Sequence, residues 1–314
     1  MPPQRPSMLR RWLASTLAVT AMAAALCLTP GAPRGARAAG VTIFAAGDIA
    51  CDPNSGSFND GAGTSGACRM RSTSNLILSA QDYAAVLPLG DNQYERGTLG
   101  QYRDSYAPSW GRLDRSRIFP VPGNHEYQDP AGDAAGYFDY FGARAHGPKG
   151  YYSYDLGGWH VVALNSNCAW VPCGGNSPQA AWLARDLAAS RGTCQLAYSH
   201  APRFASGGDT SVLDDLWNIA RGQGVDVWLA GHMHQYERFA PLNRRGEVDS
   251  RGIRTFIVGT GGKSLQGFNS ARSGSRMRID RFGVLRLRLR ATDYRWAFIG
   301  DSGRILDSGS GRCH

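Results

Sequence analysis

The chain has 314 residues, 42% of them hydrophobic, and carries a formal charge of +9, so a sizeable core is available and a polyanionic partner is the first suggestion. Removing Arg5, Arg10, Arg11, Arg34 and Arg37, which sit in an acid-free segment at the start, leaves +4. Lys149 and Lys263 are the only lysines, and no dense basic block with interleaved aromatics marks a nucleic-acid footprint, so no specific nucleic-acid binding is expected.

In chain order, residues 1–38 combine a basic start, an apolar run over 12–28 and the small-x-small triplet Ala36-Arg37-Ala38. This pattern predicts a cleaved export leader, with a single domain occupying 39–314. Arg10-Arg11 ahead of the apolar run leaves the twin-arginine route open beside general secretion. The run stops before Pro30 and no later stretch reaches bilayer-spanning length, so no membrane span is expected. Of seven cysteines, Cys27 falls in the leader; the other six, in an exported chain, predict disulfides. Fifteen pairings are possible, and proximity favours Cys51–Cys68, Cys168–Cys173 and Cys194–Cys313. The glycine-rich stretch 53–66 then reads as a surface loop held at its ends.

Short apolar runs that stop at Gly, Asp, Asn or His follow: "VTIFAAGD", "AAVLPLGD", "RIFPVPGN", "WHVVALNS", "QLAYSH", "VDVWLAGH" and "RTFIVGTGG". Each predicts a strand buried on both faces and then a turn. A helix is predicted over 177–190, capped by Ser177 with Pro178 in its first turn. A second is predicted over 209–224 and closed by Gly222. "FGVLRLRLR" and "YRWAFIG" flank the turn "ATD" as an antiparallel hairpin, with the arginines of the first on a solvated face. Alternating strands and helices predict an α/β fold.

In such folds, functional residues gather where strands end. Those ends hold Asp48, Asp91 with Tyr94 close behind, Asn124-His125, His200, and His232 with His234. The donors are oxygens and imidazoles without thiolate, which suits Fe, Zn or Mn. Singly, each has a plainer reading: Gly-Asp is commonly a turn, and a lone histidine is commonly a hydrogen-bonded core residue. His232 and His234 carry more weight, because residues i and i+2 on an extended chain face one side. "GTGGKS" imitates a P-loop, but its required first glycine falls at Ile257, which removes the ATPase reading. Arg203 could reach a substrate phosphate or form a surface salt bridge. The aromatic runs "GYFDYF" and "GYYSYD" could line a pocket mouth or fill the core.

Taken in order, "GDIA", "GDNQY", "GNHE", "YSH" and "GHMHQYER" resemble the five-block signature of the calcineurin-like metallophosphoesterases. Tyr94 and "HQYER" narrow the resemblance to the purple-acid-phosphatase-like branch, in a compact bacterial secreted form, over residues 41–262. The resemblance implies an α/β four-layer fold of two facing mixed β-sheets flanked by helices. It implies two metal ions: Fe(III) held by Asp48, Asp91, Tyr94 and His234, and Fe, Zn or Mn held by Asp91, Asn124, His200 and His232. It makes Asp91 the bridging carboxylate and His125 a catalytic residue beside the substrate phosphate. Ala50 stands where many phosphoesterases carry a histidine, in keeping with the branch in which Tyr94 supplies a ligand. The expected reaction is hydrolysis of small phosphate monoesters by in-line attack of hydroxide at the metals. A phosphodiesterase or nucleotidase with the same centre is the alternative, and a non-catalytic phosphate- or partner-binding protein the rival from another class.

Overall fold

In the computed structural model, residues 40–268 and 270–314 are described; the expected leader and its cleavage point lie outside them. The chain enters through β1 (Val41–Ala46), passes the loop clamped by the Cys51–Cys68 disulfide, and forms α1 (Met70–Ser79) and β2 (Ala85–Pro88). α2 (Leu99–Gln101) is a single turn, capped reciprocally by Thr98 and Gln101, and α3 (Ala135–Phe141) carries all of "GYFDYF". β3 (Tyr152–Leu156) and β4 (Trp159–Ala163) precede α4 (Pro178–Ala189). Then come β5 (Cys194–Tyr198), α5 (Asp214–Gln223), β6 (Val227–Ala230), β7 (Tyr236–Phe239), β8 (Arg254–Val258) and β9 (Ser275–Ile279). β10 (Gly283–Leu289), β11 (Asp293–Gly300) and β12 (Ile305–Arg312) complete the order.

Two mixed sheets result. One has the order β12-β11-β10-β1-β2 and the other β3-β4-β5-β6-β8-β7-β9. β1 and β2 run parallel, as do β4, β5, β6 and β8. The doubly buried strands divide their side chains by the period of two. Val161, Leu196, Tyr198, Val227 and Leu229 join Leu87, Leu285 and Leu287 of the other sheet in one core. Val162, Ala197, Trp228 and Ala230 face the opposite way, onto Leu183 and Leu187 of α4 and Trp217 of α5. This alternation is why the runs are apolar at nearly every position. The expected α/β arrangement of two mixed sheets with helices is the one observed.

Ser177 caps α4 by accepting from the Ala180 amide, with Pro178 in the first turn. β10 exposes Arg286 and Arg288 while its leucines are buried. Tyr137 and Phe141 of "GYFDYF" pack with Tyr102 and Tyr106 in the core.

Three expectations need correction. Residues 117–124 make no strand; Ile118 and Val121 form only isolated bridges to Val86 and Leu89, because Pro120 and Pro122 have no amide to donate to a ladder. The helix expected to close at Gly222 continues to Gln223 and ends on Gly224, whose φ of +92° suits glycine. β3, β7, β9 and β12 were not foreseen; in β12, "ILDSGSGR" lacks apolar alternation and is held as an edge by β11. All three disulfides favoured by proximity are present. Cys194 starts β5 and Cys313 follows β12, so that bond staples the two sheets together.

Away from the strand ends, His160 lies between two carboxylates, with Nδ1 2.8 Å from Asp155 and Nε2 2.8 Å from Asp186. Both nitrogens donate only in the imidazolium, and the Asp186 hydrogen bond leads the effects that raise its pKa above 6.5. A raised basic group stabilises the fold fully below its unfolded pKa and loses that contribution as pH climbs through the folded value. The parent protein should therefore lose stability above pH 6.5 more steeply than His160→Gln in urea titrations. Equal slopes for the two proteins would refute this role.

Candidate metal centre

The strand-end residues come from both sheets. Asp48 follows β1 and Asp91 follows β2, His200 follows β5, and His232 and His234 lie between β6 and β7. Asn124 and His125 follow the proline-rich extended segment. Asp48, Asp91 and His232 adopt φ of +59°, +45° and +69°, a region that costs non-glycine residues energy and is enriched at functional sites. The glycines ahead of these residues make room for one another's neighbours. A Cβ on Gly123 would overlap the Asp91 carboxylate, and one on Gly90 would overlap the His200 ring.

All seven expected metal-binding side chains converge. The Tyr94 hydroxyl lies 2.8 Å from Asp48 Oδ1, 2.8 Å from Asp91 Oδ2 and 3.0 Å from His234 Nε2. Beside this group, His200 Nε2 is 3.3 Å from Asp91 Oδ2, 3.1 Å from Asn124 Oδ1 and 3.2 Å from His232 Nδ1. Asp91 Oδ2 thus touches both halves. The two histidines of "GHMH" reach different halves, but not as strand neighbours. Tight turns from Met233 N to Gly231 O and from Gln235 N to Met233 O bend the segment, and Met233 packs away into the second core.

Electrostatically the place demands positive charge. Asp48 and Asp91 are almost wholly buried, at 0% and 2% exposure. Burial opposes their ionisation, yet His234 holds Asp48 and His200 holds Asp91 below the usual carboxylate range. Burial would strip the proton from His200, but Asp91 outweighs it and pushes the imidazole up to about 9. Burial, then Asp48 and Asp91, raise the Tyr94 phenol, while burial and His200 lower His232. Protons here neutralise charge that cations could neutralise instead. Orientation fits the same use. His200 Nδ1 is 2.9 Å from the Leu89 carbonyl and His234 Nδ1 is 2.9 Å from Ser264 Oγ, which aims Nε2 of each ring inward. The donor set therefore fits a pair of cations.

His125 sits at the rim, its ring 4.3 Å from that of Tyr94 and its Nε2 3.9 Å from Asp91 Oδ2. Its Nδ1 is 2.6 Å from the Glu95 carbonyl. The neighbouring Glu126 does not orient this ring: it is buried and accepts from backbone amides instead. Arg203 is committed to Asp214 and Asp209 and stacks on Phe204. Lys263, inside the discounted "GTGGKS", pairs with Glu95 and lies 4.6 Å from the Tyr94 ring centroid; its rarity as one of two lysines was the available signal.

Comparison with known proteins agrees with this geometry. A family model described as calcineurin-like phosphoesterase matches residues 42–236. Purple acid phosphatase 21 of Arabidopsis thaliana is 30% identical over 186 residues, covering 51% of this chain and 41% of that protein. Purple acid phosphatase 22 of the same plant is 29% identical over 209 residues, covering 59% and 45%. The chain thus matches less than half the length of these relatives. Among solved structures, the purple acid phosphatase PPD1 from yellow lupin (Lupinus luteus) seeds superimposes with a TM-score of 0.69 at 19% identity, covering 86% of this chain and 53% of that one. GAP50, the anchor in the inner membrane complex of Plasmodium, gives 0.60 at 14% identity, covering 87% and 89%.

Proposed function

This chain belongs to the calcineurin-like phosphoesterase family, and from that membership we propose that it is a secreted dinuclear-metal phosphatase acting on phosphate monoesters. The observation that carries the reading is the Asp91 carboxylate, whose Oδ2 faces Tyr94 on one side and His200 on the other. Asp48, Tyr94 and His234 would complete one cation site; Asn124, His200 and His232 would complete the second. A phenol among the donors of the first suits Fe(III), and the second suits Fe, Zn or Mn. Bound there, two cations would acidify water toward neutral pH and offset charge on the phosphoryl oxygens.

The chain's own groups do the rest. His125, anchored through Nδ1 on the Glu95 carbonyl, would offer Nε2 as the proton donor to the leaving oxygen. Once a cation replaces the proton on Nε2, the Leu89 carbonyl would keep the remaining His200 proton on Nδ1, leaving the Nε2 lone pair to the second site. Export of a domain over 39–314 behind a leader over 1–38 is supported by the three disulfides, which persist in oxidising compartments. Among the described residues no helix is long and apolar enough to cross a membrane.

Turnover of p-nitrophenyl phosphate and of its bis ester by metal-replete protein tests the reading. Preference for the diester would replace it with phosphodiesterase, and no turnover of either with a binding protein. The iron assignment has a separate check. Tyr94→Phe should abolish a visible charge-transfer band in iron-loaded protein; a surviving band would remove Tyr94 from the coordination shell.

A further inference from the structure

Beside the Asn124/His200/His232 half opens a cleft of about 530 Å³, whose outer wall includes Ser166, Trp170 and Val212. Its volume is that of a small-molecule site. Trp170 is 49% exposed and Val212 54%, and the two share this one cleft. Among the described residues, no Lys, Arg, Asp or Glu lines this cleft.

Trp170 is held from behind. Its ring stacks on that of Tyr127 at 4.8 Å and 26°. Tyr127 is itself buried, and its hydroxyl accepts from Asn165 Nδ2 at 2.7 Å. The loop is short and closed by Cys168–Cys173, and the amides of Trp170 and Val171 both donate to the Asn167 carbonyl. One indole face is therefore occupied and the other is presented. A fixed aromatic surface binds with little ordering cost and favours flat π-systems packed in offset or edge-on geometry.

We propose that Trp170 and Val212 determine substrate specificity by binding the organic group of the ester, selecting phosphate monoesters whose leaving group is a flat aromatic ring. Among the described residues the outer wall supplies no Lys or Arg to pair with extra phosphates, so polyphosphorylated substrates are not its class. This assignment rests on the monoester reading of the centre and deepens it.

The experiment uses metal-replete full-length protein, 1-naphthyl phosphate against glycerol 2-phosphate for turnover, and 1-naphthylphosphonate against methylphosphonate for calorimetric binding. Trp170→Ala should reduce the naphthyl-over-glyceryl ratio of kcat/KM about tenfold, mostly through KM, and the phosphonate affinity ratio by a similar factor. Trp170→Phe should retain most of both ratios, and Val212→Asp should reduce them, which separates a platform from a fold defect. Unchanged ratios in Trp170→Ala would overturn the proposal, as would equal losses on both ligands. If the parent hydrolyses neither ester but still binds the naphthyl phosphonate through Trp170, the catalytic reading fails while the platform stands.

Discussion

Asp91→Asn is expected to lower kcat/KM for a phosphate monoester by about 10³-fold or more, on the order of 4 kcal/mol of transition-state stabilisation. It should also reduce the metal bound by the purified protein. Asparagine keeps the size of the side chain and can still accept the His125 amide, which lies 2.8 Å from Asp91 Oδ1. What it removes is the negative charge at Oδ2, the oxygen that faces both the Tyr94 hydroxyl and His200 Nε2. An amide NH₂ at that point would oppose donors instead of attracting cations. The fold should survive, because the lost charge is not needed to satisfy a backbone group. Elemental analysis and kinetics on the same preparation give the answer; activity within tenfold of the parent would take Asp91 out of the centre.

Glu126→Ala is expected to have the largest effect on stability, about 4–6 kcal/mol by urea unfolding. The carboxylate is fully buried. Its Oε1 accepts from the amides of Asn92 and Gln93 at 2.8 and 3.1 Å and from the Tyr102 hydroxyl at 2.9 Å, while Oε2 accepts from the Gly123 amide at 2.6 Å. Burial, with Asp91 adding to it, pushes this carboxyl up to about 7, so its charge is held at a cost that the four donors and the charge of His200 offset. Alanine would leave all four without a partner in a site closed to solvent. Glutamine should cost less, since it keeps one acceptor but turns an NH₂ toward the Gly123 amide. Because Glu126 ties the turn carrying Asp91 to the turn carrying Asn124, activity should fall with stability in both variants. A loss below about 1 kcal/mol in the alanine variant would show that these amides find other partners.

The strands were legible because they are buried on both faces, which makes the apolar run continuous and its end abrupt. The same feature misled at 117–124, where the run is apolar but its two prolines forbid a ladder. β12 was illegible for the opposite reason: its residues are polar and glycine-rich, and pairing with β11 rather than burial holds it in place. The candidate ligands stood out because most of them sit at a Gly-Asp, Gly-Asn, Ser-His or Gly-His turn that ends an apolar run. The motif spelling is physical, since a side chain on Gly90 or Gly123 would occupy the space of His200 or Asp91.

Other features left no mark of that kind. Glu126 reads as one more acid in "GNHE", and its four donors come from three segments of the chain. Trp170 reads as an ordinary aromatic in a cysteine loop, and its exposed face follows from Tyr127 packing behind it. Lys263 looked like part of a failed nucleotide motif until the fold laid it across the Tyr94 ring.

Local information thus settled the α/β class, most of the elements and the inventory of donors, because burial on two faces and tight turns are properties of short segments. The assembly of one centre from the ends of strands in two sheets, the bent path that sends His232 and His234 to different halves, and the aromatic wall beside them depend on long-range packing. No short stretch encodes those distances, which arise when parallel strands align their ends and the two sheets close face to face.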